Sequence, residues 1–249
     1  MEYHKYKYTG TGPMKLALLG DCHWGSKYCD KKLLTKTIEK LKKDKNVRII
    51  LMGDLIENAG VMTPGASNYE QDSTPNEQTW DIAKMLKPLA KKIILSHRGN
   101  HEQRSFRYSG FEIGEAIANY IGVPFVKNMA ITDIQVGKIT YRIYTWHGNG
   151  SSQTSAGRVR ILQKQAATFE ADAYCIGHVH ELFSTTIPHR EIINDEFKDI
   201  FRQYVLTGSF LKWDESYAEE HGWSMVKGGM PVLTLDNKNK SIKTDMEYI

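Results

Sequence analysis

Short apolar runs in this chain stop, again and again, just before a side chain that can ligate a metal. Lys15 to Leu19 ends in Gly20 Asp21 Cys22 His23, Val47 to Met52 in Gly53 Asp54, and Ile93 to Ser96 leads to Gly99 Asn100 His101 Glu102. Ile139 to Thr145 delivers Trp146 His147 Gly148, and Ala173 to Ile176 delivers Gly177 His178 Val179 His180. Brief apolar runs bounded by turn residues read as buried strands. Between the first two, Lys31 to Lys43 carries Leu33, Leu34, Ile38 and Leu41 at helical spacing, so the chain opens strand, helix, strand. That alternation predicts an α/β fold, with polar residues at strand carboxyl ends, where open α/β sheets keep their sites.

The rest of the pattern agrees with one α/β domain over residues 1–249, a length that can bury a single substantial core. Residues 1–13 read as an N-terminal extension. Residues 60–76, with Pro64, Gly65 and Pro75, are too rich in breakers for regular structure and read as a long loop over the site. Thr74 and Pro75 then look like a cap and first helical position, opening a helix to about Lys91. Phe111 to Tyr120 and Ser155 to Phe169 read as further helices. Ile131 to Val136 and Ile139 to Thr145 form a hairpin around Gly137 and Lys138. Alternating runs at Phe201 to Leu206, Val232 to Leu235 and Ile242 to Met246 read as closing antiparallel strands.

A net charge of +4 falls short of the profile of a dedicated nucleic-acid binder, so charge does not choose the substrate. Cys22, Cys29 and Cys175 form neither a disulfide framework nor a zinc spacing, which suits a reducing compartment. Met1 to Gly12 lacks the apolar stretch of a signal peptide, and no run is long enough to span a membrane. A cytoplasmic location without a membrane partner is therefore expected.

A hydrolytic centre of two metals needs oxygen and nitrogen donors converging from several loops, with one carboxylate shared by both ions. Asp21, His23, Asp54, Asn100, His147, His178 and His180 supply such a set. If Asp21 and His23 lie on extended backbone, residues two apart face the same side and both reach one cation. By the same geometry His178 and His180 project together and can serve two neighbouring ions. Asp54, at a strand end, is suited to bridging because each carboxylate oxygen can ligate separately.

These blocks, in this order over roughly Met14 to His180, resemble the calcineurin-like metallophosphoesterase superfamily. The resemblance implies a β-sandwich flanked by helices, with a βαβαβ core and mixed sheets. It also implies that Asp21, His23, Asp54 and His180 hold a first metal and that Asp54, Asn100, His147 and His178 hold a second. His101 resembles the family histidine that steadies the transition state and protonates the leaving oxygen. Two divalent ions are implied, manganese first, with iron or zinc as alternatives, and a homodimer is compatible with the resemblance. Arg98 Gly99 Asn100 His101 Glu102 is similar to the protein phosphatases, but Glu57 Asn58 Ala59 departs from their Asp Arg Gly. The paired His178 and His180 look instead like the phosphodiesterase and SbcD-like nuclease branch.

The expected function is hydrolysis of phosphodiester bonds, of nucleic acid (DNA or RNA) or nucleotides, by attack of a metal-bridging hydroxide. A phosphomonoesterase, or a non-catalytic metal-stabilised protein that binds nucleic acid or a partner, is the alternative. Among the remaining residues, Cys22 reads as packing. His4, His97, His189 and His221 read as surface or hydrogen-bonded histidines. Glu57 and Asn58 could face substrate or cap a turn, and Arg104 reads as solvated or salt-bridged. The 148–157 loop could receive a phosphate or merely connect, and Phe210, Trp213, Tyr217 and Trp223 read as rim packing rather than base stacking.

Overall fold

The computed structural model describes residues 1–60, 68–150, 154–214, 216–220, 222 and 225–248. Residues 61–67 of the 60–76 loop, residues 151–153 of the 148–157 loop, His221 and Trp223 therefore lie outside the described residues, as does the side chain of Tyr217.

Strands β1 (Glu2–Tyr8) and β2 (Met14–Leu19), helix α1 (Lys31–Lys43) and strand β3 (Val47–Leu51) come first. Helix α2 (Pro75–Leu86), strand β4 (Ile93–His97) and helices α3 (Asn100–Ser109) and α4 (Ile113–Ile121) follow. Next are strands β5 (Phe125–Val126), β6 (Ala130–Val136) and β7 (Ile139–Trp146), helix α5 (Ser155–Ala166) and strand β8 (Ala173–Ile176). Strands β9 (Leu182–Ile193) and β10 (Glu196–Thr207), helix α6 (Tyr217–Glu220) and strands β11 (Val232–Leu235) and β12 (Ile242–Asp245) complete the fold.

Two mixed six-stranded sheets stack face to face, one in the order β1-β6-β7-β8-β10-β9 and the other β12-β11-β2-β3-β4-β5. Strand alternation divides the core into layers. Leu16, Leu18, Ile50 and Met52 point between the sheets against Ile134, Tyr141, Ile143, Cys175 and Val205. Their neighbours Ala17, Leu19, Ile49 and Leu51 point the other way, onto Leu34, Ile38 and Leu41 of α1, Ile82 of α2 and Ile117 of α4. The expected β-sandwich with flanking helices is thus present, and β2, β3 and β4 run parallel as the apolar runs required.

Helix α1 spans the expected range because Asp30 accepts the Leu33 N–H at 3.0 Å as its N-cap. Helix α2 starts at Pro75 with a reciprocal Thr74 and Glu77 capping box, but a 3₁₀ turn at Lys87–Lys92 replaces its expected last turn. The N-terminal extension contains an edge strand, β1, parallel to β6. Strand β10 runs parallel to β8 and antiparallel to β9, whereas β11 is antiparallel to both β2 and β12. Among the described residues, no helix is long and apolar enough to cross a membrane.

Candidate metal centre

Every residue of the expected ligand set lies just beyond the carboxyl end of β2, β3, β4, β7 or β8, so the sandwich brings them to one end. Backbone bonds lace these ends together. Asp21 N–H donates to Gly53 O at 2.9 Å and His23 N–H to Asp54 O at 3.1 Å. Gly53 sits at φ +90°, and a Cβ there would meet the Gly99 nitrogen at 2.6 Å, while a Cβ on Gly99 would meet the Asp54 nitrogen at 2.1 Å. The two glycines let the β3 and β4 loops touch, which places Asp54 and Asn100 side by side.

The backbone of the ligands differs from the extended geometry that their spacing suggested. Asp21, His23, Asp54, His178 and His180 all have φ between 47° and 68°, in the left-handed region. Asp and His tolerate this region better than most residues, yet each such residue costs about 1–3 kcal/mol. The chain therefore coils tightly around the centre rather than passing it as a strand. Asp21 and His23 still converge, whereas His178 and His180 turn toward separate clusters.

In the first cluster, Asp21, His23 and His180 offer ligand atoms within 4.8 Å of one another. His180 Nε2 is 3.3 Å from Asp21 Oδ1 and 3.1 Å from His23 Nε2. In the second, Asp54, His147 and His178 do the same. Here Asn100 Oδ1 is 2.9 Å from His147 Nε2 and 2.8 Å from His178 Nδ1, and His147 Nε2 is 3.3 Å from Asp54 Oδ2. Asp54 also groups with His23 and His101, so its carboxylate faces both clusters.

Hydrogen-bond accounting shows that these donors fit cations. His147 Nδ1 donates to Met52 O at 2.8 Å, which leaves the Nε2 lone pair of the neutral ring facing the oxygens of Asn100 and Asp54. His23 Nδ1 donates to Glu57 Oε2 at 2.9 Å, so its Nε2 lone pair faces His180 and Asp21. Converging lone pairs with no hydrogen between them repel unless a cation or proton sits among them. With no cation bound, protons take that place. Burial opposes charge on His147, but the Asp54 carboxylate beside it prevails and raises its pKa to about 10. Burial likewise opposes charge on Asp54, and the adjacent His101 and His147 nevertheless hold its carboxyl well below the usual range.

His101 projects into the same space. Its Nδ1 donates to Glu57 O at 2.6 Å, while Arg104 Nη2 approaches its Nε2 at 2.8 Å. Burial lowers its pKa to about 4, so the ring is neutral before substrate arrives.

Three residues outside the expected set organise the centre. Glu57, left open between substrate contact and cap, is buried and holds His23. Despite that burial, neighbouring His101 and His23 pull its carboxyl down to about 2. Glu102, inside a motif but without an expected role, accepts N–H bonds from Leu55 at 2.7 Å, Gly99 at 2.8 Å, Asp54 at 3.1 Å and Ile56 at 3.3 Å. Arg104, read as solvated or salt-bridged, pairs with Glu57 Oε1 at 3.8 Å, lies against His101 and donates to Glu57 O at 2.9 Å. The one available signal was position: Glu57 follows Asp54 by three residues, and Arg104 follows His101 by one helical turn. Asn58 donates to His101 O at 2.7 Å, which joins it to the same network.

His97, outside the motifs, is a buried hydrogen-bonded residue between Asn128 O and Thr145 Oγ1, as its position implied. Cys22 is buried and packs in the core.

No curated protein matches the chain. Solved structures align with the chain at low identity. A metallophosphoesterase from Sphaerobacter thermophilus aligns with 12% identity and TM-score 0.44, covering 93% of this chain and 87% of that one. Pseudomonas putida nuclease MPE aligns with 13% identity and TM-score 0.39, covering 92% and 86%. Wild-type Vps29 with zinc from Entamoeba histolytica aligns with 12% identity and TM-score 0.43, covering 93% and 97%. A family model for calcineurin-like phosphoesterases matches residues 14–182, a span that holds both clusters and His101. The chain belongs to the calcineurin-like phosphoesterase family.

Proposed function

We propose that this protein hydrolyses phosphodiesters of nucleic acid or nucleotides at a centre for two divalent cations. The observation that carries the reading is the pair of clusters facing one shared carboxylate, Asp54. Asp21, His23, Asp54 and His180 would hold one cation, and Asp54, Asn100, His147 and His178 the other. Mixed oxygen and nitrogen donors suit manganese, iron or zinc. Cations bound there would acidify a water molecule and offset negative charge on the phosphoryl oxygens.

The surrounding residues fix and complete this arrangement. Glu57 and the Met52 carbonyl hold the His23 and His147 rings with Nε2 toward the cations. His101 stands beside Asp54, its Nε2 3.7 Å from Asp54 Oδ2, anchored through Nδ1. Once Arg104 Nη2 turns from Nε2 toward a bound phosphodiester, the negative charge of that substrate favours the protonated ring, and Nε2 then passes its proton to the departing oxygen. Arg104, against the same ring, adds a fixed positive charge on that side.

The test is turnover by purified, metal-replete protein across single- and double-stranded DNA, RNA, cyclic nucleotides and simple monoesters. Diester hydrolysis that is lost in Asp54→Ala and His180→Ala is the expected result. Wild-type turnover by either variant, or no turnover of any diester, overturns the reading. A preference for monoesters would favour a phosphomonoesterase.

A further inference from the structure

Helix α3 does more than present Asn100 and His101. His101, Arg104 and Tyr108 stand at positions i, i+3 and i+7, which places them in one stripe along the helix. Arg104 approaches both ring nitrogens of His101, at 2.9 and 2.8 Å, and interacts electrostatically with Tyr108. Tyr108 is 74% exposed, and Phe111, just past the Gly110 cap, is 54% exposed. Tyr108 belongs to none of the three apolar clusters of the core, so packing does not account for its place.

Spacing and charge both suit a strand of nucleotides. At 1.5 Å rise per residue, the Tyr108 Cα lies about 10 Å along the axis from that of His101. Roughly three stacked nucleotides cover that distance. Of the charged side chains on α3, Arg107 is exposed and Arg104, 18% exposed, reaches the surface beside His101, whereas the helix's carboxylate, Glu102, is buried and taken up by backbone N–H groups. Leading away from the centre, the stripe is cationic and then aromatic, the combination that grips a phosphate and then a base.

We propose that Tyr108 is a stacking platform for an unpaired base of a single-stranded nucleic acid whose scissile phosphate lies at the metal centre. Arg104 stands between the two and meets an intervening phosphate. The inference rests on the phosphodiesterase reading and narrows its substrate to strands with exposed bases, because a base inside a duplex has no free face to offer.

Affinity for two labelled dodecamers tests it, one of thymidine and one of abasic sugar phosphate, by fluorescence anisotropy of the full chain in EDTA. The wild type is expected to bind the thymidine strand at least about tenfold more tightly. Tyr108→Ala should bring the two strands to within about twofold, and Tyr108→Phe should keep the preference, since stacking needs the ring and not the hydroxyl. The inference is overturned if the wild type shows no preference, if Tyr108→Ala retains it, or if Tyr108→Phe loses it. These affinities need no turnover, so they stand apart from digestion of the same strands with metal, which tests the phosphodiesterase reading alone.

Discussion

Glu57 Oε2 lies 2.9 Å from His23 Nδ1, and both side chains are buried. The carboxylate fixes the ring's tautomer and leaves Nε2 for a cation. Replacing Glu57 by Ala frees the ring and is expected to weaken metal binding by about 10- to 100-fold. Glu57→Gln keeps an acceptor and should lose less. Titration calorimetry with manganese checks both; equal affinity in wild type and Glu57→Ala would show that the contact does not orient the ligand.

Metal uptake should release protons. His147 carries a pKa of about 10 while no cation is bound, so between pH 6 and 9 a cation must displace its proton. Apparent affinity should therefore rise by up to about tenfold per pH unit over that range. Calorimetry in buffers of different ionisation enthalpy counts the protons, and affinity that stays flat with pH would contradict this account.

Glu102 ties the β3 and β4 loops through backbone N–H groups of Asp54, Leu55, Ile56 and Gly99. Glu102→Ala would strand several of these buried donors, at a cost of about 3 kcal/mol. Urea denaturation of the metal-free protein should show that loss, and a change under about 0.5 kcal/mol would mean that water replaces the carboxylate.

His97 predicts the acid side of the stability curve. Burial holds its folded pKa at about 3, below the ordinary value of about 6.5 for an unfolded chain. A neutral buried histidine contributes stability that is fully present above the unfolded value and is lost as pH falls toward the folded one. Between about pH 6.5 and 3 the unfolded chain binds the extra proton, so this group steepens the loss by up to about 1.4 kcal/mol per pH unit. His97→Gln should flatten the fall in denaturation midpoint across that window, and an unchanged slope would assign the effect to other groups.

Much of this was legible in the sequence, for reasons that particular elements make plain. The strands β2, β3 and β4 are apolar on both faces because each is covered by a sheet on one side and helices on the other. Helix α1 showed its apolar stripe and Asp30 its cap. Helix α3 was invisible because Glu102 is its one buried residue, so no apolar period betrays it. Strand β1 hides in a polar segment whose alternation, His4, Tyr6 and then buried Tyr8, is weak. The outer half of β9 and β10 reaches past β8, and Ile192, Phe197 and Phe201 there are exposed, which blurs the pattern of a covered strand.

At the candidate centre, which side chains converge could be read from the motifs, but their backbone could not. Residues two apart in sequence imply an extended pair, and nothing in Asp21 Cys22 His23 announces that both outer residues are left-handed. Partners such as Glu57 and Arg104 become visible only once the loops meet, because their contacts with His23 and His101 depend on the fold rather than on spacing.

The pairing of β1 with β6 bears on where this protein can be cut. The family match begins at residue 14 and stops at 182, yet β6, β8 and β2 take their outer partners β1, β10 and β11 from beyond those limits. A fragment trimmed to the matched span would present three raw strand edges, each a template for another chain. Its fate would be aggregation, with every residue of the candidate metal centre still in place.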